Sequence, residues 1–260
     1  MKWCRFQVGD KTAYGMIEGD TVVEVAGSPF DDYTRTSSTH PLASVKLLVP
    51  VIPPTFYAAG INYPEHVSWA AQMRGQEPNL PKKADVGYRA VNALIAHDEP
   101  IMVPKDATEE VQYEGELVAV IGKKCHNVSE AESLDYVLGY TIGNDVSERT
   151  WQRGDRTLWR AKNTDTFKPM GPWIVTGLEP DDLHVKITLS GRVVGEYDVC
   201  TALFSLRNYI SEMSRYLTLY PGDVVWMGTE GATENMKDGD VVEVEISDIG
   251  VLRNKVVWQR

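Results

Sequence analysis

The feature that most constrains this chain is a pair of glutamates at the start of a strongly apolar run. Glu114 and Glu116 stand two residues apart, and residues 117–121 read Leu-Val-Ala-Val-Ile, which is typical of a buried β-strand. Side chains at positions i and i+2 of a strand point to the same face, so the two carboxylates are expected side by side. Two buried like charges are costly, and a divalent cation held between them offsets that cost.

A third carboxylate is expected nearby. A second apolar run, residues 138–142, ends just before Asp145. Three carboxylates suit a hard cation such as Mg²⁺ or Mn²⁺ and leave coordination positions for water and substrate. The alternative is that Glu114 and Glu116 simply pair with surface cations. The sequence therefore predicts a metal centre formed by Glu114, Glu116 and Asp145.

Four sequence blocks together resemble one enzyme family. They are YEGELVAVIGK (113–123), GYTIGNDVSERTWQ (139–152), RAKNTDTFKPMGPWIVT (160–176) and LYPGDVVWMGT (219–229). In this order they closely resemble the fumarylacetoacetate hydrolase family, over a stretch from about residue 51 to the C-terminus. The resemblance implies a metal-dependent enzyme that acts on 2-oxo or 1,3-diketo acids. By position, it makes Glu114, Glu116 and Asp145 the metal ligands and Lys162 the active-site lysine.

Composition and charge exclude several classes of partner. The 260 residues are 43% hydrophobic and 24% charged, which is typical of a globular protein with a sizeable core. The formal net charge is −11, and the acidic residues are scattered along the chain. Nucleic acid and anionic membranes are therefore not expected as partners, because both require a basic surface.

The cysteines and the N-terminus predict a cytoplasmic protein. Cys4, Cys125 and Cys200 are odd in number and lack the spacing of a disulfide framework or a zinc site. The first residues lack the apolar stretch of a signal peptide. The uncharged run at residues 47–64 contains several prolines, which exclude a membrane-spanning helix and favour an extended connector.

Short β-type runs separated by Gly-Asp turns fill the first part of the chain. They predict a three-stranded meander at residues 3–8, 12–18 and 21–25, followed by a Ser/Thr-rich loop at residues 33–40. We interpret residues 1–50 as a small N-terminal β domain and residues 51–260 as the catalytic domain.

The rest of the chain also reads mainly as strands. Helices are predicted at residues 62–75 and 201–217, and a short one is expected from the capping box at residues 129–132 to Gly139. A hairpin is expected at residues 185–197. The absence of regular strand–helix alternation favours an α+β, mainly β fold. The family resemblance implies a mixed β-sandwich roll for the catalytic domain.

The segment from Gly60 to His66 resembles the G-x-N-Y-x-x-H motif that begins a helical lid in the family. In relatives that hydrolyse C–C bonds, this histidine pairs with a glutamate three residues later to activate water. Here Trp69 stands at that position, and neither Glu65 nor Glu77 has a helical i+3 or i+4 relation to His66. His66 can still act as a base. The alternative is a histidine on a helix surface.

Three further residues are candidates for contact with the substrate. Lys162, unless it is an ordinary surface lysine, would stabilise an enolate or oxyanion beside the metal. Gln152 and Thr229 match substrate-contacting positions of the family. The chain departs from the family pattern at Thr150, where an aspartate is usual, and at Glu230, where a proline is usual.

Three functions are compatible with these residues. The first is a cytoplasmic Mg²⁺- or Mn²⁺-dependent hydrolase that cleaves a C–C bond in a small anionic acylpyruvate-like or diketo acid. The second is a decarboxylase of oxaloacetate type or an isomerase of hydroxy-dienedioates, which Trp69 favours because neither needs activated water. The third is a catalytically silent protein that binds a small acid. The resemblance also implies a homodimer.

Overall fold

The computed structural model describes residues 1–73 and 75–260, and the described strands and helices follow. In chain order the strands are β1 (Lys2–Val8), β2 (Lys11–Glu18), β3 (Thr21–Gly27), β4 (Tyr33–Pro41), β5 (Lys46–Leu48), β6 (Phe56–Ala59), β7 (Val86–Tyr88), β8 (Leu94–Ile95), β9 (Ile101–Val103), β10 (Val111–Gln112), β11 (Gly115–Ile121), β12 (Val137–Asn144), β13 (Ser147–Glu148), β14 (Lys168–Val175), β15 (His184–Leu189), β16 (Arg192–Asp198), β17 (Val224–Trp226), β18 (Val241–Ile246) and β19 (Gly250–Trp258). The α-helices are α1 (Pro64–Met73), α2 (Arg149–Gly154), α3 (Trp159–Asn163) and α4 (Leu206–Ser214).

Most strands belong to two sheets. The large sheet has the order β4-β3-β2-β1-β14-β12-β11-β17-β6-β7, with β5 beside β1 and β8 beside β14. The smaller sheet has the order β16-β15-β18-β19-β9. Pairing is mainly antiparallel, but β17–β6, β14–β8 and β19–β9 are parallel pairs. Both sheets are therefore mixed.

The two sheets pack face to face over one apolar core. Leu117 and Ile142 of the large sheet are buried in the same cluster as Val185 and Val244 of the smaller one. At Gly115 the sheets are so close that a Cβ atom would lie 2.8 Å from Val244 Cγ1. The predicted α+β, mainly β fold, a mixed β-sandwich roll with an N-terminal meander, is confirmed.

The N-terminal strands continue the large sheet. Strand β1 pairs with β14 through Lys2 opposite Val175 and Trp3 opposite Ile174. The predicted meander is present as β1 to β3, but the loop predicted at residues 33–40 is wrong, because β4 pairs with β3 there. Its exposed Ser/Thr-rich face suits an edge strand, since threonine is β-branched. The domain boundary near residue 50 stays a prediction.

The predicted helices are shorter in the structure or are replaced by other elements. Helix α4 begins after Ser205, whose hydroxyl accepts the Asn208 N–H at 3.2 Å, so the preceding residues are excluded from it. The predicted capping box forms only in part. Glu132 Oε2 accepts the Ser129 N–H at 3.3 Å, but the Glu132 N–H donates to the Ser129 carbonyl rather than to its hydroxyl, and a 3₁₀ turn follows instead of an α-helix. Gly139 lies inside β12 and ends no helix. At the end of the helix predicted at residues 62–75, residue 74 lies outside the described residues.

No helix within the described ranges is long and apolar enough to cross a membrane.

One close contact in the large sheet gives a test of the packing. A Cβ on Gly143 would lie 2.5 Å from the ring of Trp226, which is fully buried and packs on Phe56 with ring centroids 4.9 Å apart. We expect Gly143→Ala to lower the free energy of unfolding by about 1–3 kcal/mol, the usual cost of overpacking. Gly154→Ala is the matched control, because a Cβ there meets nothing within 4 Å. Denaturant unfolding of both variants checks this, and equal stabilities would contradict it.

Candidate metal centre

The register of β11 and β12 brings three carboxylates together. Gly115 lies opposite Asn144 in this antiparallel pair, so Glu114 and Asp145 are adjacent just beyond it. The Asp145 N–H donates to the Glu114 carbonyl at 2.8 Å, and Glu116 follows two residues along β11. All three side chains are buried, and one oxygen from each lies within 4.8 Å of the others. The structure thus assembles the predicted triad.

Lys162 lies directly against this triad. Its Nζ donates to Glu114 Oε2 at 2.5 Å and to Asp145 Oδ2 at 2.7 Å. The side chain is 7% exposed, which contradicts the alternative of a surface lysine. It lies on α3, and Asn163 anchors that helix by accepting the Ala90 N–H at 2.6 Å.

Sequence reasoning missed three further cations of the centre. Arg89 and Lys168 contact Asp145 at 2.8 and 2.6 Å, and Arg149 contacts Glu114 at 2.7 Å. Arg149 and Lys168 lie inside the blocks that resemble the family, so the sequence could have identified them as cations of the site. Arg89 follows β7 without any motif, and only the fold brings it to Asp145.

The cations divide the carboxylates into two kinds. Burial alone would raise the pKa of Glu114, but Arg149 and Lys162 lower it to about 2. Burial is likewise outweighed at Asp145, where Arg89, Lys162 and Lys168 hold the pKa well below its usual range. Glu114 and Asp145 are therefore carboxylates at neutral pH.

Glu116 is different because no described cation forms an ion pair with it. It accepts the Gly228 N–H at 2.8 Å. Burial, followed by the charges of Asp145 and Glu114, raises its pKa to about 8. A divalent cation would supply the missing positive charge, and each ionised carboxylate has lone pairs left for it. The donor set therefore fits a hard divalent cation, and the triad could hold one.

His66 faces the triad from helix α1. Its Nδ1 lies 2.9 Å from the Gly231 carbonyl oxygen, which can only accept, so Nδ1 carries the proton and Nε2 is free to act as a base. Nε2 lies 3.8 Å from Glu114 Oε1. Burial lowers the pKa of His66 despite the nearby Glu114 carboxylate. His66 is thus a neutral base at the centre and not an exposed helix residue.

Trp69 occupies the place of the missing lid glutamate. Its ring stacks on His66 with centroids 5.2 Å apart and an angle of 30°. Both Glu65 and Glu77 are exposed, and neither forms a hydrogen bond or ion pair with His66 in the described part of the chain. The orientation of His66 therefore depends on the Gly231 carbonyl and the Trp69 ring.

The predicted substrate-contacting residues line the same cavity as the triad. This cavity of about 130 Å³ is bounded by Gln152, Thr229, His66 and Lys162 as well as the carboxylates. The Thr229 hydroxyl is buried near that of Tyr197 and forms no hydrogen bond of normal geometry among the described residues. A buried polar group without a partner is costly, so a ligand that bonds to it would be favoured. The roles of Gln152 and Thr229 stay predictions.

Comparisons with known proteins cover the whole chain. Residues 55–257 match the family described as "Fumarylacetoacetate (FAA) hydrolase C-terminal", and residues 1–50 match "Rv2993c-like, N-terminal". Protein Rv2993c of Mycobacterium tuberculosis is 37% identical over 99% of this chain and 98% of its own length. The 2,4-didehydro-3-deoxy-L-rhamnonate hydrolase of a Sphingomonas species is 33% identical over 98% of this chain and 96% of its own length. The crystal structure of 5-carboxymethyl-2-hydroxymuconate delta-isomerase from Mycobacterium smegmatis is 37% identical, with a TM-score of 0.90 over 100% of both chains.

Metal binding should depend on pH through Glu116. Below a pKa of about 8 this carboxyl holds a proton that a metal ion must displace, so affinity for Mg²⁺ or Mn²⁺ should rise from pH 6 towards pH 8. Glu116→Gln should weaken binding strongly, because a neutral amide oxygen is a poorer ligand. It should also reduce the pH dependence, and the remainder comes from Lys168, which contacts Asp145 and whose pKa burial lowers to about 7. Titration calorimetry measures both, with the exposed Glu132→Gln as control. Equal affinity for the Glu116→Gln protein would exclude Glu116 as a ligand.

Proposed function

The chain belongs to the fumarylacetoacetate hydrolase family, and we propose that it is an enzyme that acts on small 2-oxo acids with Mg²⁺ or Mn²⁺ held by Glu114, Glu116 and Asp145. The observation that carries this proposal is that a base and a cation line the same cavity as the triad. His66 Nε2 and Lys162 Nζ lie 3.8 and 2.5 Å from the two oxygens of Glu114. Base and cation together suit chemistry that passes through an enolate.

The residues have separate tasks in this chemistry. When bound, the divalent cation supplies Lewis-acid stabilisation for negative charge on the 2-oxo oxygen. Lys162 adds a preorganised positive charge at the same place, where water is largely excluded. His66, with its proton fixed on Nδ1, can take a proton at Nε2 from the carbon next to the 2-oxo group. The buried Thr229 hydroxyl can bond to the substrate and orient it.

The excess of cations explains why an acidic protein would bind an anion. Arg89, Arg149 and Lys162 surround three carboxylates together with Lys168, whose pKa burial lowers to about 7, and Glu116 is protonated below about pH 8. The local field is therefore positive although the chain carries a formal charge of −11. A small anionic 2-oxo acid is the proposed partner. Cytoplasmic localisation and a homodimer stay predictions.

Isomerisation, keto–enol tautomerisation or decarboxylation is the reaction type that the lid favours. In each of these the enolate is formed and then reprotonated, which requires no activated water. Among the described residues, no carboxylate bonds to His66 Nδ1 to strengthen it as a base. A weak base suffices for these reactions, because a proton next to a 2-oxo group is more acidic than a proton of water and decarboxylation needs no base. The isomerase from Mycobacterium smegmatis, similar along the whole chain, supports this choice.

Hydrolysis of a C–C bond, the first expectation from the sequence, is the second candidate. The observation that favours it is the position of His66 Nε2, which lies at the triad and can accept a proton from water as well as from carbon. The Sphingomonas hydrolase, 33% identical, supports this alternative.

Lys162 should contribute to turnover more than to metal binding. Lys162→Met keeps most of the side-chain volume and removes the charge, so kcat should fall by roughly 10²-fold or more, as when one preorganised oxyanion donor is lost. Metal affinity should not fall, because Lys162 repels a cation at the triad. Steady-state kinetics on a panel of 2-oxo acids checks this, with the exposed Lys255→Met as control. A near-normal kcat would remove Lys162 from the mechanism.

The lid residue Trp69 should separate the two candidates. Trp69→Glu places a carboxylate one helical turn after His66, where it can stabilise the protonated imidazole. We expect acylpyruvate hydrolysis to increase several-fold relative to Trp69→Gln, which removes the ring without adding charge. Product analysis by NMR measures hydrolysis and isomerisation together. Efficient hydrolysis by the unmodified enzyme, with no gain in the Trp69→Glu protein, would contradict this interpretation of the lid.

A further inference from the structure

A second cavity adjoins the metal cavity at His66. It has a volume of about 120 Å³ and shares Ile61, His66 and Gln152 with the metal cavity. A molecule held at the triad through one end can therefore extend past these three residues. We call this space the tail cavity; the residues that it does not share with the metal cavity are Trp69, Ala70, Glu110, Gln112, Arg149 and Arg153.

One part of the tail-cavity wall is apolar. Ile61, Trp69 and Ala70 contribute an aliphatic group, an indole ring and a methyl group. The Trp69 ring is held in place by the His66 stack and by the Arg149 guanidinium, which lies 5.5 Å from the ring centroid. A fixed apolar wall favours an apolar ligand group, because that group is removed from water without a loss of hydrogen bonds.

The two arginines of the wall are already neutralised. Arg153 donates to both oxygens of Glu110, at 2.8 and 3.0 Å. Arg149 pairs with Glu114 at 2.7 Å, and its Nε and Nη1 donate to Gln112 and Gln152 at 2.7 and 2.8 Å. Among the described residues, the wall therefore offers no unpaired cation. A carboxylate at the end of a ligand would therefore lose its hydration there without gaining an unpaired cation as a partner, and this loss is costly.

The junction between the cavities provides one polar contact. Gln152 Oε1 accepts from Arg149, which leaves the Gln152 amide N–H groups without an internal acceptor in the described part of the chain. Gln152 lines both cavities, so these groups can donate to an oxygen near the middle of a ligand. The 4-oxo oxygen of a 2,4-dioxo acid is such a group.

We infer that the tail cavity is a substrate subsite that selects 2-oxo acids with an uncharged, apolar tail over those with a second terminal carboxylate. This inference rests on the proposed function, since it assumes that the 2-oxo acid end lies at the triad. It deepens that function by naming the substrate class, a monocarboxylate with an acyl tail, and the residues that select it.

The test compares three acids that differ only in the tail. Acetylpyruvate is short, butanoylpyruvate has a longer apolar tail, and succinylpyruvate has the same length but ends in a carboxylate. With Mg²⁺ or Mn²⁺ present, calorimetry gives Kd and NMR in D₂O gives turnover and exchange at C3. We expect kcat/KM and affinity to be at least about tenfold higher for butanoylpyruvate than for succinylpyruvate, the scale of a buried charge against an apolar group.

Ala70→Leu assigns the effect to the tail cavity. Ala70 lines this cavity and not the metal cavity, so a larger side chain there should lower affinity and kcat/KM for butanoylpyruvate about tenfold and leave acetylpyruvate unchanged. Ala70→Val gives a smaller step in the same direction if the leucine variant folds poorly. The matched control is Gln72→Leu, an exposed position on the same helix, which should change neither acid.

The outcomes separate the inference from the proposed function. Preference for succinylpyruvate, or an equal loss of both butanoylpyruvate and acetylpyruvate in Ala70→Leu, would overturn the tail subsite while leaving metal-dependent turnover intact. Tight, Ala70-sensitive binding of butanoylpyruvate without turnover or exchange of any of the three acids would support the subsite and overturn the proposed function.

Discussion

The compensation of three buried carboxylates by cations is the interaction on which the rest of the site depends. Glu114, Glu116 and Asp145 enter the interior only because β11 and β12 place them there. An unpaired buried charge costs several kcal/mol, so the segments that carry positive charge must converge on this point. The loop after β7, helices α2 and α3 and the start of β14 do so with Arg89, Arg149, Lys162 and Lys168. The ion pairs therefore fix the positions of these four segments, and they also hold the carboxylates in place.

This compensation is uneven, because the three carboxylates do not have equal positive charge around them. Glu114 and Asp145 have enough positive charge around them to stay ionised when buried, whereas the described residues give Glu116 one backbone donor and no ion pair. A divalent cation at the triad would supply the positive charge that Glu116 lacks. The positive charge around the triad is what we propose to attract a small anionic substrate to a chain whose formal net charge is −11.

The lid shows how one substitution alters a family site without dismantling it. Asn62 anchors the start of the lid through bonds to the carbonyls of Phe204 and Met227, at 3.1 and 3.0 Å. His66 is consequently held at the triad although its usual acidic partner is absent. Trp69 places an aromatic ring where relatives carry the lid glutamate. This ring stacks on His66 and forms part of the wall of the adjacent cavity. A polar position of the lid has become an apolar one, and the substrate preference that we infer follows from that change.

The sequence by itself determined the mainly β fold, the triad and Lys162. Their signals are local: apolar strand runs, an i, i+2 pair of glutamates and collinear family-like blocks. The ends of helices and strands were less predictable. The loop predicted at residues 33–40 and the helix predicted before β12 were wrong, because pairing with neighbouring strands determines the structure of both segments. Only the tertiary structure decided the partners of the triad and of His66. Arg89 and Gly231 are far from Asp145 and His66 in sequence, and the cavity beside Trp69 has no sequence pattern. Contacts between distant segments depend on how the sheets and the lid pack, because side-chain burial and charge pairing are settled only when the chain is folded.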